Sequence, residues 1–219
     1  VVCTNCYADT PGMFFADEAR VVPASYEPGF LDAMLDVCRE FRPKLLFSLH
    51  DVEVPCIARW RDRFLEVGTF PVVAEREFAE MCLDKFESFC FLREQGVPSA
   101  RTYLRVEEAV AAVKCGEIGW PVVVKPRFGF GSFGLSFASD EQDLIGQYSS
   151  LTKEVRRHAY LQQLCQTGDL VIVQEMLAGV EYGLDIICDL EGRFRTCLIE
   201  QKYRMRAGET DAAEIIEDP

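Results

Sequence analysis

A lysine followed by closely spaced glycines forms the stretch of this sequence that is best suited to chemistry. Lys125 ends a short apolar run rich in β-branched residues, and Gly129, Gly131 and Gly134 follow shortly after it. A lysine at the end of a buried strand is costly unless an anion meets it. Glycines allow backbone N–H groups to approach such an anion closely. The stretch therefore predicts a phosphate-binding loop between two strands, with a plain β-hairpin and a flexible loop as the alternative.

Two familiar phosphate-binding motifs do not fit this stretch. No Gly-Lys-Ser/Thr sequence follows the glycines, so it is not a Walker loop. A strand rather than a helix is predicted after the glycines, so the dinucleotide-binding fingerprint lacks its context. Three phenylalanines, Phe128, Phe130 and Phe133, alternate with the glycines. They could pin the loop to the body of the protein, or they could close over a nucleotide and exclude water.

Charge and hydropathy restrict the class of partner. The chain of 219 residues has a formal net charge of −13, which argues against nucleic acid or an anionic membrane surface as its main partner. A small anion is still possible, because it responds to local lysines and arginines. No apolar run is long enough to span a bilayer and no signal peptide is recognisable. We expect a cytoplasmic protein with no membrane partner.

Cysteines and histidines give no metal site. The ten cysteines are scattered, and we expect them to be reduced, buried thiols. Several of them lie inside apolar runs: Cys38, Cys90, Cys188 and Cys197. Cys3 and Cys6 form one CxxC without a second pair, so zinc or redox use is the weaker alternative. His50 and His158 lack the spacing of metal ligands, and we predict no metal ligand.

The first part of the chain predicts a parallel α/β fold. Short apolar strands alternate with helices, of which 29–41 and 55–67 are the longest, and such alternation is typical of parallel sheets. A buried strand is predicted over 44–49. The stretch 75–95 predicts two helical pieces that meet near Leu83, with Asp84 as the N-cap of the second.

The second part of the chain predicts an α+β fold. A helix is predicted over 107–115 and another over 141–148, capped by Ser139-Asp140, while 152–166 is either a helix or a mobile insertion. Three strands follow in succession without helices, which favours an antiparallel sheet: 170–174, 181–189 and 194–202. The composition changes near 74–85, so we predict one domain over 1–74 and a second over 75–219.

Four segments in a fixed order resemble ATP-grasp enzymes, and in particular the group around the carbamoyl-phosphate synthase large subunit. Their sequences are DK with FLREQGVP, WPVVVKP with the glycines after it, VIVQE with GVEY, and KYRMRAGET. The match covers about 84–210, and 1–74 resembles the family's preceding α/β domain. The resemblance implies an α/β domain that lacks its first strand, followed by an incomplete ATP-grasp domain with antiparallel sheets.

The resemblance also implies a set of ATP-binding residues. Lys85 and Lys125 would reach the α- and β-phosphates, and Glu181 would accept hydrogen bonds from the ribose. The loop would fold over the β- and γ-phosphates through Gly129, Gly131, Ser132 and Gly134. The adenine would lie against a hinge formed by Glu175, Met176 and Leu177.

The implied reaction is ATP-dependent ligation of a small carboxylate. The carboxylate attacks the γ-phosphate, and an amine or related nucleophile captures the acyl phosphate. Lys202 and Arg206 are the candidate catalytic residues, because either could stabilise the transferring phosphoryl group or hold the carboxylate, with Arg204 as a further cation. The family's Mg²⁺ ligands are expected beyond the chain end, so we expect this fragment alone to be inactive. A homodimer is a possible assembly.

Two alternatives remain open at this stage. The first is a non-catalytic nucleotide sensor or assembly subunit that keeps the fold without a metal site. The second is an NAD(P)-binding α/β protein whose likeness to ATP-grasp enzymes is accidental. Competition between ATP and NADPH for the same site would separate the second alternative from the first.

Overall fold

The chain folds into two compact units, Val1–Leu83 and Asp84–Pro219. The computed structural model describes residues 1–157, 161, 168–206 and 209–217. The division falls inside the interval 74–85 in which the sequence predicts a boundary, and the assignment of 1–74 and 75–219 as domains stays a prediction. None of the described helices is long and apolar enough to cross a membrane.

The first unit consists of short parallel strand pairs and helices. Strand β1 pairs with β2, and β3 with β4, both in parallel, which confirms the predicted α/β class. The longest helix described in this unit, α2, buries Leu35 and Cys38, and these side chains pack with Ile57 and Phe64. In chain order the elements are β1 (Val2–Asn5), α1 (Pro11–Phe15), β2 (Glu18–Val21), α2 (Phe30–Phe41), β3 (Leu45–Leu46), α3 (Glu53–Arg59), α4 (Arg61–Glu66), β4 (Phe70–Pro71) and α5 (Arg76–Leu83).

Two predictions for the first unit are wrong. The buried strand expected over 44–49 is only two residues long, because its partner β4 is equally short and pairs with Leu45 and Leu46 alone. Leu49, beyond this pairing, is fully exposed. The helix expected over 55–67 breaks at Trp60, whose φ and ψ of −110° and 18° lie outside the helical range. The break leaves Trp60 partly exposed while Phe64 is buried.

The second unit contains two antiparallel sheets. Strands β5, β8, β6 and β7 form one sheet in that spatial order, and β9, β10 and β11 form the other, with β10 in the centre. The predicted hairpin around the glycines is β6–β7 and is confirmed. In chain order the elements are α6 (Lys85–Glu94), β5 (Thr102–Tyr103), α7 (Val106–Lys114), β6 (Val122–Pro126), β7 (Ser136–Ala138), α8 (Glu141–Arg157), β8 (Val171–Glu175), β9 (Tyr182–Cys188), β10 (Phe194–Arg206) and β11 (Glu209–Ile216).

The four-stranded sheet packs one of its faces against α7 and α8. Val122 and Val124 of β6 and Val173 of β8 are fully buried in a core that includes Leu144 of α8. Since successive side chains of a strand point to opposite faces, Lys125 lies on the other face of the sheet. Helices α7 and α8 therefore pack against one face of β6, and Lys125 lies on the opposite face.

Three predictions for the second unit also differ from the structure. Strand β8 pairs with β6 and does not join β9 and β10. Helix α8 continues beyond residue 148 to Arg157, because Leu151 and Val155 extend the buried face begun by Leu144. The stretch 158–160 and 162–167, which includes His158, lies outside the described residues. The acidic segment after Arg206 forms β11, which no strand signal in the sequence predicts.

The described cysteines are all free thiols, including Cys3 and Cys6, which are not joined. Cys38 is buried as expected. Cys188 is exposed, because the sheet to which β9 belongs is open to solvent where this residue lies. The expectation of a buried thiol is wrong there and also for Cys6, Cys82 and Cys115, which are exposed as well.

Candidate functional site

The loop between β6 and β7 is built around glycine. The backbone φ values of Gly129, Gly131 and Gly134 are 128°, 59° and 64°, in the region that favours glycine. A Cβ on Gly134 would lie 2.5 Å from Leu151 Cδ1, so a side chain at this position would require the buried Leu151 to shift. Ser132 has a φ of 54°, which is unusual for a residue with a side chain and is often found at functional sites.

Lys125 lies at the start of this loop with a neutral partner. Its Nζ donates a hydrogen bond to Gln174 Oε1 on the neighbouring strand, with the two atoms 2.7 Å apart. Burial lowers the pKa of Lys125 below its ordinary value. Within the described residues, no carboxylate contacts this ammonium group. A partly buried cation with no anionic partner is the electrostatic environment expected at an anion-binding position.

Arg127, two residues further on, has the opposite environment. The residue is 4% exposed, and its Nε lies 2.8 and 2.9 Å from the two carboxylate oxygens of Asp84. Its Nη2 lies 2.7 Å from Asp84 Oδ2 and 3.3 Å from Glu87 Oε1. The cation is neutralised inside the protein and holds the loop in place. Sequence reasoning missed this residue, because nothing local indicates a partner 43 positions earlier in the chain.

Asp84 and Lys85 join the beginning of α6 to the loop. Asp84 accepts hydrogen bonds from the backbone N–H groups of Phe86 and Glu87 at 3.0 and 3.3 Å, which confirms it as the N-cap. The backbone N–H of Lys85 donates to Arg127 O at 3.2 Å, and Lys85 Nζ donates to Gly129 O at 2.7 Å. The structure thus brings Lys85 onto the glycine loop, as the predicted site requires, and its ammonium group contacts the loop's own carbonyl.

The predicted hinge continues from the strand that contains the partner of Lys125. Glu175 follows Gln174 and pairs in register with Val122 of β6. Its backbone N–H donates to Arg101 O at 2.8 Å, and its carboxylate accepts from the backbone N–H of Arg101 at 3.1 Å. Met176 and Leu177 then leave the sheet with exposed side chains. Strand β8 therefore contains both the first residue of the hinge and the hydrogen-bond partner of Lys125, and it pairs directly with β6.

Of the remaining predicted residues, Lys202 and Arg206 lie on β10 of the three-stranded sheet, and Glu181 directly precedes β9. Glu181 and Lys202 form an ion pair of 2.9 Å, and the backbone N–H of Lys202 donates to Glu181 O. Arg206 pairs with Asp211 of β11 at 3.0 Å. The contacts described here do not bring these residues to the loop, and their proposed ribose-binding and catalytic roles stay predictions.

Comparison with known families now adds to this geometry. Residues 118–215 match the family described as the ATP-grasp domain, and residues 1–73 match the family described as the PylC-like N-terminal domain. The chain therefore contains an ATP-grasp domain, preceded by a PylC-like N-terminal domain. The matched ATP-grasp segment contains the strand of Lys125, the glycine loop, the hinge, and the predicted residues Glu181, Lys202 and Arg206.

Curated relatives of this chain are longer proteins. It is 27% identical over 177 residues to the formate-dependent phosphoribosylglycinamide formyltransferase of Synechococcus sp. strain RCC307, which covers 81% of this chain and 41% of that protein. It is 32% identical over 116 residues to the carbamoyl phosphate synthase large chain of Methanothermobacter thermautotrophicus, which covers 53% of this chain and 10% of that protein. The chain thus spans well under two thirds of either relative.

Solved structures share the fold. The biotin carboxylase domain dimer of Hydrogenobacter thermophilus 2-oxoglutarate carboxylase, in complex with MgADP, ADP and bicarbonate, matches with a TM-score of 0.67 at 19% identity over 95% of this chain and 46% of that one. The L-amino acid ligase of Bacillus licheniformis matches with a TM-score of 0.63 at 15% identity over 88% of this chain and 44% of that one. These likenesses support the ATP-grasp architecture.

Metal binding is not supported by the side chains described so far. Across residues 1–157, 161, 168–206 and 209–217, no group of three or more His, Cys, Asp or Glu side chains could hold a metal ion. The chemistry of Lys125, Lys85 and the glycine loop fits a nucleotide phosphate. We assign no Mg²⁺ ligand among the described residues.

Proposed function

We propose that this chain supplies the nucleotide-binding part of an ATP-dependent ligase, which joins a small carboxylate to an amine or a related nucleophile through an acyl phosphate. The proposal combines the match of residues 118–215 to the ATP-grasp domain with the environment of one residue. Lys125 is a partly buried cation whose described partner is a neutral amide, and it stands directly before a loop that glycine keeps open. An anionic phosphate is the ligand that this environment favours.

The proposed residue roles follow from donor chemistry. Lys125 and Lys85 are compact cations that donate to phosphate oxygens, and Lys85 exchanges its bond to Gly129 O for one to the nucleotide. The backbone N–H groups of Gly131 and Ser132 add neutral donors. Glu175 and the backbone of the next two residues contact the adenine. Glu181 and Lys202 contact the ribose and the reacting groups only if their ion pair opens.

Named relatives support the ligase class. They are a formyltransferase, a carbamoyl phosphate synthase, a biotin carboxylase domain and an amino acid ligase, and the biotin carboxylase domain was crystallised with MgADP and bicarbonate. By analogy, Mg²⁺ would neutralise phosphate charge when the nucleotide binds. In this chain the described residues would position the phosphates and stabilise their charge, which is the main contribution of a protein to phosphoryl transfer.

A nucleotide titration tests the proposal. We expect the full-length protein to bind ADP and the Lys125→Met variant to bind it about 10- to 100-fold more weakly, as the loss of one charge-assisted hydrogen bond predicts. The matched control is Lys114→Met, which removes an exposed lysine of the same unit that pairs with Glu141 at 2.9 Å. Equal affinity of the Lys125→Met variant and the wild type would contradict the proposal. Release of ADP with candidate carboxylates and amines then separates a ligase from a non-catalytic sensor.

A further inference from the structure

Three side chains on three adjacent strands form a directed chain of hydrogen bonds that begins at Lys125. Lys125 Nζ donates to Gln174 Oε1 at 2.7 Å, and Gln174 Nε2 donates to Thr102 Oγ1 at 2.8 Å. Thr102 Oγ1 in turn donates to Ala100 O at 3.0 Å. The chain runs from β6 through β8 to β5 and ends on a backbone carbonyl.

The direction of this chain is fixed by the donors that its members carry. A lysine ammonium can only donate, so the amide oxygen of Gln174 must face Lys125 and the amide nitrogen must face Thr102. The hydroxyl of Thr102 must then accept from the amide, which sends its own hydrogen to Ala100 O. Thr102 is 4% exposed, so water does not compete freely for its hydroxyl. Reversing the amide would place its NH₂ group against the ammonium.

We infer that Gln174 is a positioning residue for Lys125: it fixes the ammonium group without neutralising it, and Thr102 fixes the orientation of Gln174. This inference rests on the proposed function, because it concerns how Lys125 is prepared for a phosphate. An amide fits this role since it accepts a hydrogen bond but carries no charge. The molecule provides its own contrast in Lys202, which is held at 2.9 Å by the carboxylate of Glu181.

The same edge strand also fixes the first residue of the hinge. Glu175 exchanges two hydrogen bonds with Arg101, which lies directly before Thr102. The segment 100–102 therefore holds both Gln174 on the phosphate side and Glu175 on the proposed adenine side. A disturbance at Thr102 is expected to reach the phosphate contact through Gln174 alone, because the contacts of Arg101 with Glu175 involve backbone atoms of Arg101 that a change at Thr102 leaves intact.

The test compares ADP with adenosine, because only ADP carries the phosphates that Lys125 would contact. In the full-length protein, Gln174→Glu keeps the size of the side chain and introduces a carboxylate next to Lys125. We expect its affinity for ADP to fall about tenfold, the size of one charge-assisted contact, with adenosine binding unchanged. We expect Thr102→Val to weaken ADP binding in the same selective way and Thr102→Ser, which keeps the hydroxyl, to restore it.

The outcomes separate this inference from the proposed function. If wild-type protein binds no ADP, both are overturned. If wild-type protein binds ADP and the Lys125→Met variant loses it, while Gln174→Glu and Thr102→Val bind like wild type, only the inference is overturned. Equal losses for ADP and adenosine would also overturn it, since they indicate a general structural role. If Gln174→Glu does not fold, the Thr102→Val and Thr102→Ser pair decides the question.

Discussion

The lysines and arginines of the two sheets in the second unit have different hydrogen-bond and ion-pair partners. In the four-stranded sheet, one face is packed on helices, Arg127 is enclosed by Asp84, and Lys125 has only a neutral amide as its described partner. In the three-stranded sheet, Lys202 pairs with Glu181, and both Arg204 and Arg206 pair with Asp211. Many apolar side chains of this second sheet are exposed, including Ile186 and Leu198.

The comparison shows what distinguishes a candidate binding cation from a structural one. Positive charge occurs in both sheets, so the presence of lysine or arginine near a strand end is not informative by itself. The informative feature is the partner, because a carboxylate neutralises a cation and an amide leaves its charge available to a ligand. By this criterion Lys125 is a stronger candidate for a phosphate contact than Lys202 and Arg206.

The largest expected effect is on stability, at the buried ion pair. We expect Arg127→Met to lower the free energy of unfolding of the second unit by about 3–5 kcal/mol, because it leaves Asp84 buried without its partner. The matched change in the three-stranded sheet, Arg204→Met, removes the exposed ion pair with Asp211. We expect it to lower the free energy of unfolding by less than about 1 kcal/mol. Denaturant unfolding followed by Trp120 fluorescence in a Trp60→Phe background measures both. Similar costs for the two variants would refute the distinction between the sheets.

A smaller effect is expected at the glycine loop. Gly134→Ala introduces a Cβ at a φ of 64° and 2.5 Å from Leu151 Cδ1, so we expect a cost of about 2–4 kcal/mol from backbone strain and overlap together. The control is Gly192→Ala in the β9–β10 hairpin, where φ is 78° and nothing lies within 4 Å of the new Cβ. There only the strain of about 1–2 kcal/mol applies. The same unfolding measurement checks the pair, and equal costs would show that the loop tolerates the methyl group.

The pH dependence of ADP affinity sharpens the comparison further. Burial lowers the pKa of Lys125, so its ammonium group is lost at a lower pH than that of an exposed lysine. We therefore expect ADP affinity to fall as the pH rises from neutral through this lowered pKa. Lys125→Arg, whose guanidinium stays charged throughout, is expected to give a flatter profile. Calorimetric titrations at several pH values measure this, and identical profiles would exclude Lys125 as the titrating group.

The smallest effect is expected from a change of Asp211 in the three-stranded sheet. Asp211→Asn removes one charge from two exposed ion pairs, and we expect it to change the free energy of unfolding by less than about 1 kcal/mol. Denaturant unfolding of the variant beside the wild type checks this. A cost near that of Arg127→Met would mean that the three-stranded sheet depends on its ion pairs as strongly as the loop does.

Local signals in the sequence predicted the parts of the site that depend on neighbouring residues. The hairpin, its glycines and the N-cap at Asp84 all follow from short patterns, and the structure confirms them. The cap at Asp140 is confirmed as well, since it accepts from the backbone N–H of Asp143 at 2.9 Å. Such features were predictable because the residues that form them lie within a few positions of one another.

Contacts between distant residues could not be predicted in this way. The pairing of Arg127 with Asp84 and the bond from Lys125 to Gln174 connect residues 43 and 49 positions apart. Strand β11 was missed because its acidic sequence has weak strand propensity, and pairing with β10 decides its conformation. The sequence thus predicts which residues could bind a phosphate, while tertiary contacts determine which of their charges are neutralised within the protein.

The most direct test of the central claim is the pKa of Lys125 itself, measured by NMR of lysine side chains with and without ADP and assigned through the Lys125→Arg variant. Without ligand we expect a pKa below that of exposed lysines, because the partly buried ammonium has no anionic partner among the described residues. Bound phosphate should raise it, since a nearby negative charge favours the protonated form. An ordinary pKa that ADP leaves unchanged would contradict the claim that Lys125 receives the nucleotide.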